Sequence, residues 1–121
     1  MDREVVRDYC LNKPEAVEDF PFGADVAVFK VMGKMFALMP VTGAVSISLK
    51  CEPMLADILR STFADVTPGY HLNKRHWNSV KLDGDSTIPL DEVFNMIDHS
   101  YEQVVKGLPK KVRERLSDGK F

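Results

Sequence analysis

No apolar run in this chain approaches the ~18 residues that a membrane-spanning helix requires, so no such helix is expected. The opening residues, Met1-Asp2-Arg3-Glu4, carry acids where a secretory leader needs a basic start, which places the chain in the cytoplasm by expectation. Cysteine is scarce: Cys10 and Cys51 have no metal-ligand spacing and read as small, partly buried hydrophobes kept as thiols in a reducing compartment. Glycines are scattered singly, so no Gly-rich phosphate cradle is present. A Gly-x-Ser-x-Gly elbow and a Cys-His signature are missing too, leaving no recognisable nucleophile with its base. Internal repeats, linkers and low-complexity tracts are absent.

What remains is an ordinary globular composition, 45% hydrophobic and 28% charged, which excludes a disordered chain. Its 121 residues fit one domain, 1–121. Asp2 is placed to cap a helix ending near Leu11, with Val5, Val6, Tyr9 and Cys10 on its apolar face. Glu15 to Gly23 reads as a turn or short helical segment whose Phe20 and Phe22 plug one end of the core. Asp25–Met32 and Met35–Met39, joined at Gly33-Lys34, form a hairpin apolar on both faces, so its strands are central or covered twice. Ala44–Lys50 alternates as a half-buried strand does. Pro53 opens a second helix with Met54, Leu55, Ile58, Leu59 and Phe63 inward and Asp57, Arg60 and Ser61 outward. Two short strands, within Val66–Leu72 and Asn78–Leu82, precede a long helix from Pro89 to Lys106, stopped by Gly107, and a short one after Pro109. The order α-βββ-α-ββ-α-α predicts an α+β, two-layer fold, an antiparallel sheet of about five strands packed with helices.

One stretch stands apart. Pro68 to Asn78 holds two imidazoles, Lys74, Arg75, an indole, a phenol and two carboxamides, with no acid. From Val66 to Leu82 the charges are Lys74, Arg75 and Lys81 alone, and Lys106 to Phe121 sets six bases against Glu114 and Asp118, while the rest of the chain is strongly acidic. Such asymmetry fits one basic face on an acidic body, or a solvated mixture of charges. Lys74, Arg75 and Lys81 have the chemistry to neutralise phosphate, Asn73 and His76 to touch bases or shape a hairpin tip, and Trp77 or Tyr70 to stack on a base. Lys110, Lys111 and Arg113 add to that surface if the last helix lies nearby. The alternative for Trp77, Tyr70 and His71 is structural, and a lone tryptophan is mostly buried, which favours Trp77 as an anchor. The five-residue spacing of His71 and His76 is no ligand pattern, and Asp83 and Asp85 would complete a metal site only if their turn folded back.

The run Gly69-Tyr70-His71-Leu72-Asn73-Lys74-Arg75-His76-Trp77-Asn78-Ser79-Val80 resembles the signature of the MmcQ/YjbR family of small bacterial proteins. Phe20-Pro21-Phe22-Gly23, Phe29-Lys30-Val31, Gly33 to Leu38, Ser48-Leu49-Lys50-Cys51 with Pro53, Ser100-Tyr101 and Leu108-Pro109-Lys110 match it in the same order over nearly the whole chain. The resemblance implies a CyaY-like two-layer fold whose hairpins are likened to a double-wing DNA-binding motif, and it carries over no catalytic residue. The expectation is a cytoplasmic, monomeric, non-enzymatic module that binds double-stranded DNA and has no membrane partner, cofactor or metal. Two rivals stand beside it: a protein- or peptide-binding adaptor, which predicts a sizeable exposed apolar patch, and an enzyme in which His71 and His76 converge with Asp83 or Asp85.

Overall fold

A computed structural model of the chain describes residues 1–69 and 71–117. Its elements run α1 (Arg3–Leu11), β1 (Ala16–Asp19), β2 (Val26–Val31), β3 (Lys34–Pro40), β4 (Ser46–Lys50), α2 (Pro53–Thr62), β5 (Val66–Pro68), β6 (Trp77–Lys81), α3 (Leu90–Lys106) and α4 (Lys110–Ser117). The strands form one antiparallel sheet in the order β1-β2-β3-β4-β6-β5. The expected α+β, two-layer architecture is what the chain adopts, with β1 as an additional edge strand. α3 lies across β2, β3 and β4, α1 packs on β1 and α3, and α2 covers β5 and β6. Between the layers sits a core that takes Val6 and Cys10 from α1, Phe29, Phe36, Ile47 and Val80 from the sheet, and Val93 and Ile97 from α3.

Local chemistry sets most element ends. The Asp2 carboxylate caps α1 by accepting from the Glu4 N–H at 2.9 Å. Glu52 caps α2, accepting from the Met54 and Leu55 N–H groups, with Pro53 at the first helical position where its missing N–H goes unneeded. β2 and β3 turn at Met32-Gly33, where both residues take positive φ (50° and 80°), and Val31 pairs directly with Lys34. That two-residue geometry matches the strand twist, which moves the turn one residue ahead of the expected Gly33-Lys34. β2 and β3 lie inside the sheet, as their two-faced apolar runs imply.

The joint between sheet and helix is made by one hydroxyl. Ala37 pairs with Leu49 and Leu38 with Ser48, so the β3–β4 ladder would next join Phe36 to Lys50. It does not. The Ser100 hydroxyl, fully buried on α3, donates to the Phe36 carbonyl at 2.5 Å and accepts from the Lys50 N–H at 2.8 Å. α3 is thereby stitched into a gap in the sheet. The next two residues are pinned in turn: the Cys51 N–H donates to the His76 carbonyl at 2.7 Å, and the Glu52 N–H to His99 Nε2 at 3.2 Å.

Three local readings are overturned. Glu15 to Gly23 is not a turn or short helix at its centre, because β1 adds to β2 with Val17 opposite Lys30 and Asp19 opposite Val28. β1 has little intrinsic strand preference; Arg7 clasps Glu18 with two hydrogen bonds (2.9 and 2.7 Å) and Lys30 pairs with Asp19 at 2.9 Å. Phe20 and Phe22 do not plug the core but are 44% and 65% exposed beyond the strand end. In α2 the inward face is rotated: Ala56 is buried, Leu55 and Leu59 are half-buried, and Met54 and Ile58 point outward, 73% and 56% exposed. Val5 in α1 is likewise exposed.

Replacing Ser100 by alanine leaves a buried carbonyl and a buried N–H without partners, at ~1–3 kcal/mol each. Ser100→Ala is expected to lower unfolding stability in urea by about 2–4 kcal/mol and to speed amide exchange at Lys50; a loss below ~1 kcal/mol would mean that Phe36 and Lys50 simply close their ladder.

Candidate functional site

The acid-free stretch becomes the connection between β5 and β6, and its shape is fixed from within and from below. Asn73 opens a turn: its side-chain Oδ1 accepts from the Arg75 N–H at 2.9 Å and its carbonyl from the His76 N–H at 3.1 Å. The Gly69 N–H donates to the Trp77 carbonyl at 2.8 Å, extending the ladder past Pro68. A side chain at Gly69 would sit 2.8 Å from Trp77 Cβ, so this close approach requires glycine. Lys74 Nζ donates back to the Gly69 carbonyl at 3.3 Å.

From below the anchor is Arg60. Its Nε donates to Asn78 Oδ1 at 2.6 Å, and Nη2 donates to the Trp77 carbonyl at 3.2 Å and to the Lys74 carbonyl. One guanidinium on α2 thus holds the turn at Lys74 and the return strand at Trp77 and Asn78, the forked donor geometry that arginine supplies and lysine does not. Sequence reasoning missed Arg60 by placing it on the outward face. The available signal was helical spacing: Arg60 follows buried Ala56 by one turn, on the side that faces β6.

The sequence-predicted residues divide by this geometry. Lys74 and Arg75 are exposed at the tip, and the Arg75 side chain meets no hydrogen-bond or ion-pair partner among the described residues. Asn73 is exposed with its oxygen committed to the turn, and His76 is half-buried with its backbone tied to Cys51 and Asn73. Trp77 is buried, 7% exposed, but lies off the main core: Asn78 and Val80 face the helices, so alternation puts Trp77, Ser79 and Lys81 on the opposite face of the sheet. Across that face Ser79 and Ser48 share a hydroxyl hydrogen bond of 3.0 Å. His71 is exposed with φ of 60°, and Tyr70 lies outside the described residues. Lys81 pairs with Asp85 in the exit turn, which holds the Asp85 carboxyl below its usual range. Lys110 faces Glu114 at 3.9 Å, Lys111 is exposed, and Arg113 is half-buried. α4 borders the C-terminal half of α3, in a hollow lined by Tyr101, Glu102, Val105 and Lys106, whereas the tip is held by α2.

The acids that a His71–His76 site would draw on are engaged elsewhere. Asp83 accepts from the Val45 N–H at 2.8 Å and Asp85 serves Lys81, so both carboxylates hold loops. Among the described residues no three His, Cys, Asp or Glu side chains gather closely enough to hold a metal ion. Burial pushes the Cys10 thiol up to about 12 and, with help from Glu52, Cys51 up to about 11, which keeps both protonated and poorly nucleophilic. No helix among the described residues is long and apolar enough to cross a membrane.

A sequence model of the YjbR family matches residues 11–103. The chain belongs to the YjbR family. It is similar to the YjbR protein of Escherichia coli K12, 38% identical over 109 residues that cover 89% of this chain and 91% of that protein. It is also similar to YbdF of Escherichia coli O157:H7, 32% identical over 117 residues covering 96% and 94% of the two chains. Among solved structures, a Deinococcus radiodurans protein, DR2400, superposes with a TM-score of 0.85 at 36% identity, covering 94% of this chain and 86% of that one. A Pseudomonas syringae protein superposes with a TM-score of 0.71 at 29% identity, covering 85% and 98%. The YjbR chain therefore shares its fold with bacterial relatives along most of its length.

Two outcomes test this geometry. Arg60→Met keeps the aliphatic stem but strips Asn78, Trp77 and Lys74 of a charged donor, so stability should fall by about 2–3 kcal/mol and exchange should accelerate from residue 71 to 76 while α3 amides keep their protection. Alkaline titration tests the buried acids. The thiols rise from 9.0, and Tyr9 and Tyr101, also desolvated, rise from 10.0 to about 12. The unfolded chain releases these protons first, so their contribution is complete below pH 9.0 and declines above it, through the thiols alone until about pH 10 and through thiols and phenols together from there to about 12. Cys10→Ala with Cys51→Ala should flatten the first part of that decline, whereas a wild-type denaturation midpoint unchanged between pH 9.0 and about 11 would contradict the burial of both thiols.

Proposed function

We propose that this YjbR-family protein is a non-catalytic module that binds double-stranded DNA through the β5–β6 tip. The observation that carries the reading is the tip itself: a turn locked by Arg60 that presents exposed Lys74 and Arg75 in a segment with no acidic residue. Pre-ordering matters, because a contact loop already held in place loses little conformational freedom when it meets a phosphate. Lys81 and Lys110 face Asp85 and Glu114 across solvent-exposed pairs that water and salt screen, so a phosphate can displace either carboxylate. Lys111 and Arg113 extend the surface only to the extent that the duplex reaches α4. Asn73 and His76 shape the turn, and Trp77 supports it from the sheet.

A protein- or peptide-binding adaptor is the second reading, favoured by Met54 and Ile58, which stand one turn apart on the outward side of α2 and are exposed. Anisotropy of a labelled duplex, measured from about 50 to 200 mM salt, separates the two. Under the DNA reading, binding weakens steeply with salt, and Lys74→Ala with Arg75→Ala flattens the logarithmic slope by roughly 0.9 for each lost phosphate contact. Met54→Ser with Ile58→Ser leaves that slope unchanged. Absence of duplex binding by the wild-type protein at about 50 mM salt overturns the proposal.

A further inference from the structure

Beneath the tip, and separate from its cations, the helix layer leaves a space. A cavity of about 160 Å³ lies between α2, α3 and the helix-facing side of β4 and β6, walled by Leu49, Leu55, Leu59, Val80 and Met96. Apolar cavities of ~150 Å³ admit a guest the size of benzene. This one is apolar except at a few points, and one of those points is unusual.

Asn78 lines the cavity and is 3% exposed. Arg60 Nε donates to its Oδ1 at 2.6 Å, which fixes the carboxamide: turning it over would set two N–H donors against each other. Nδ2 is therefore the group left over, and it is buried with no acceptor among the described residues. Buried amide donors are nearly always matched, so a missing partner at a cavity wall points to a guest that supplies one. His99 lines the same space; its Nε2 accepts from the Glu52 N–H, so its ring proton sits on Nδ1, a second donor. Glu92 and Lys50 also border the cavity, and their opposite charges offset each other, so the lining offers no net charge to hold an ionic guest.

We propose that this cavity binds a small neutral carbonyl compound with a single-ring or short branched apolar body, its oxygen accepting from Asn78 Nδ2. The apolar body fills the space between the leucines of α2 and Met96 of α3. The carbonyl gives Nδ2 the acceptor that the protein withholds. Chemistry of this kind is that of binding, since the nearby Cys51 thiol is held protonated by its burial.

Acetophenone and ethylbenzene, nearly alike in shape and differing in the carbonyl, are the probes. In NMR titrations of the full chain, acetophenone should give saturable shifts at the Asn78 side-chain amide and the Met96 and Val80 methyls. Ethylbenzene should bind about tenfold more weakly for want of one hydrogen bond. Leu55→Trp, which fills the cavity from α2, should abolish the acetophenone shifts. Should that variant fail to fold, nuclear Overhauser contacts from acetophenone to the Met96 and Val80 methyls of the wild-type protein decide the matter, their presence supporting the proposal and their absence overturning it. No saturable shift at millimolar acetophenone, as expected of a cavity that holds only water, overturns it. Equal affinity for ethylbenzene, or retained binding by folded Leu55→Trp, does so as well.

Discussion

The hydroxyl of Ser100 replaces a rung of the sheet. By joining the Phe36 carbonyl to the Lys50 N–H it parts β3 from β4 where α3 crosses them, and it binds the longest helix to the backbone itself as well as to side chains. Packing alone would let α3 slide along the apolar surface of the sheet; a hydrogen bond with fixed geometry at both ends sets its register. The consequences run along the chain from that point. Once Lys50 is held by α3, Cys51 reaches His76 and Glu52 reaches His99, and the Glu52 carboxylate caps α2. The start of α2 is thus determined by α3 and by the hairpin together.

α2 then carries Arg60 to the underside of the β5–β6 connection. A single guanidinium satisfies three acceptors that a polar loop would otherwise turn to water, and Lys74, Trp77 and Asn78 are tied to α2 by it. Asn78 stands where two chemistries divide. Its oxygen belongs to Arg60 and the tip, while its nitrogen belongs to the cavity wall. A change on one side of this amide is felt on the other, because the carboxamide cannot rotate without losing its partner. The exposed cations and the partly open apolar space are therefore neighbours on either side of the start of β6.

Much of this was legible in order along the chain. The α3 stripe of Val93, Ile97, Tyr101 and Val104, the cap at Asp2, Pro53 at a helix start and the alternation of Ile47 and Leu49 are local signals, and local signals survive into the fold. The acid-free tip was legible as well, down to the turn that opens at Asn73. β1 was not, because its place depends on Arg7 and Lys30 meeting two acids that are distant in sequence or across a ladder. The outward turn of Met54 and Ile58 was hidden because an apolar residue on an edge helix has no local mark that tells which way the sheet lies.

Composition and periodicity by themselves determined an α+β chain and the order of its elements apart from β1, while its family was legible only as a resemblance of motifs along the chain. Tertiary structure alone decided what the acid-free loop and its surroundings became. Arg60 changed from a solvated charge to the anchor of the tip, Ser100 from a small helical residue to the joint of the two layers, and Asn78 from a carboxamide at a strand start to a buried donor on a cavity. The physical reason is common to all three. Hydrophobic periodicity is written every few residues, whereas the partners of a buried polar group are brought together only when distant segments pack, and no local pattern records which acceptor will arrive.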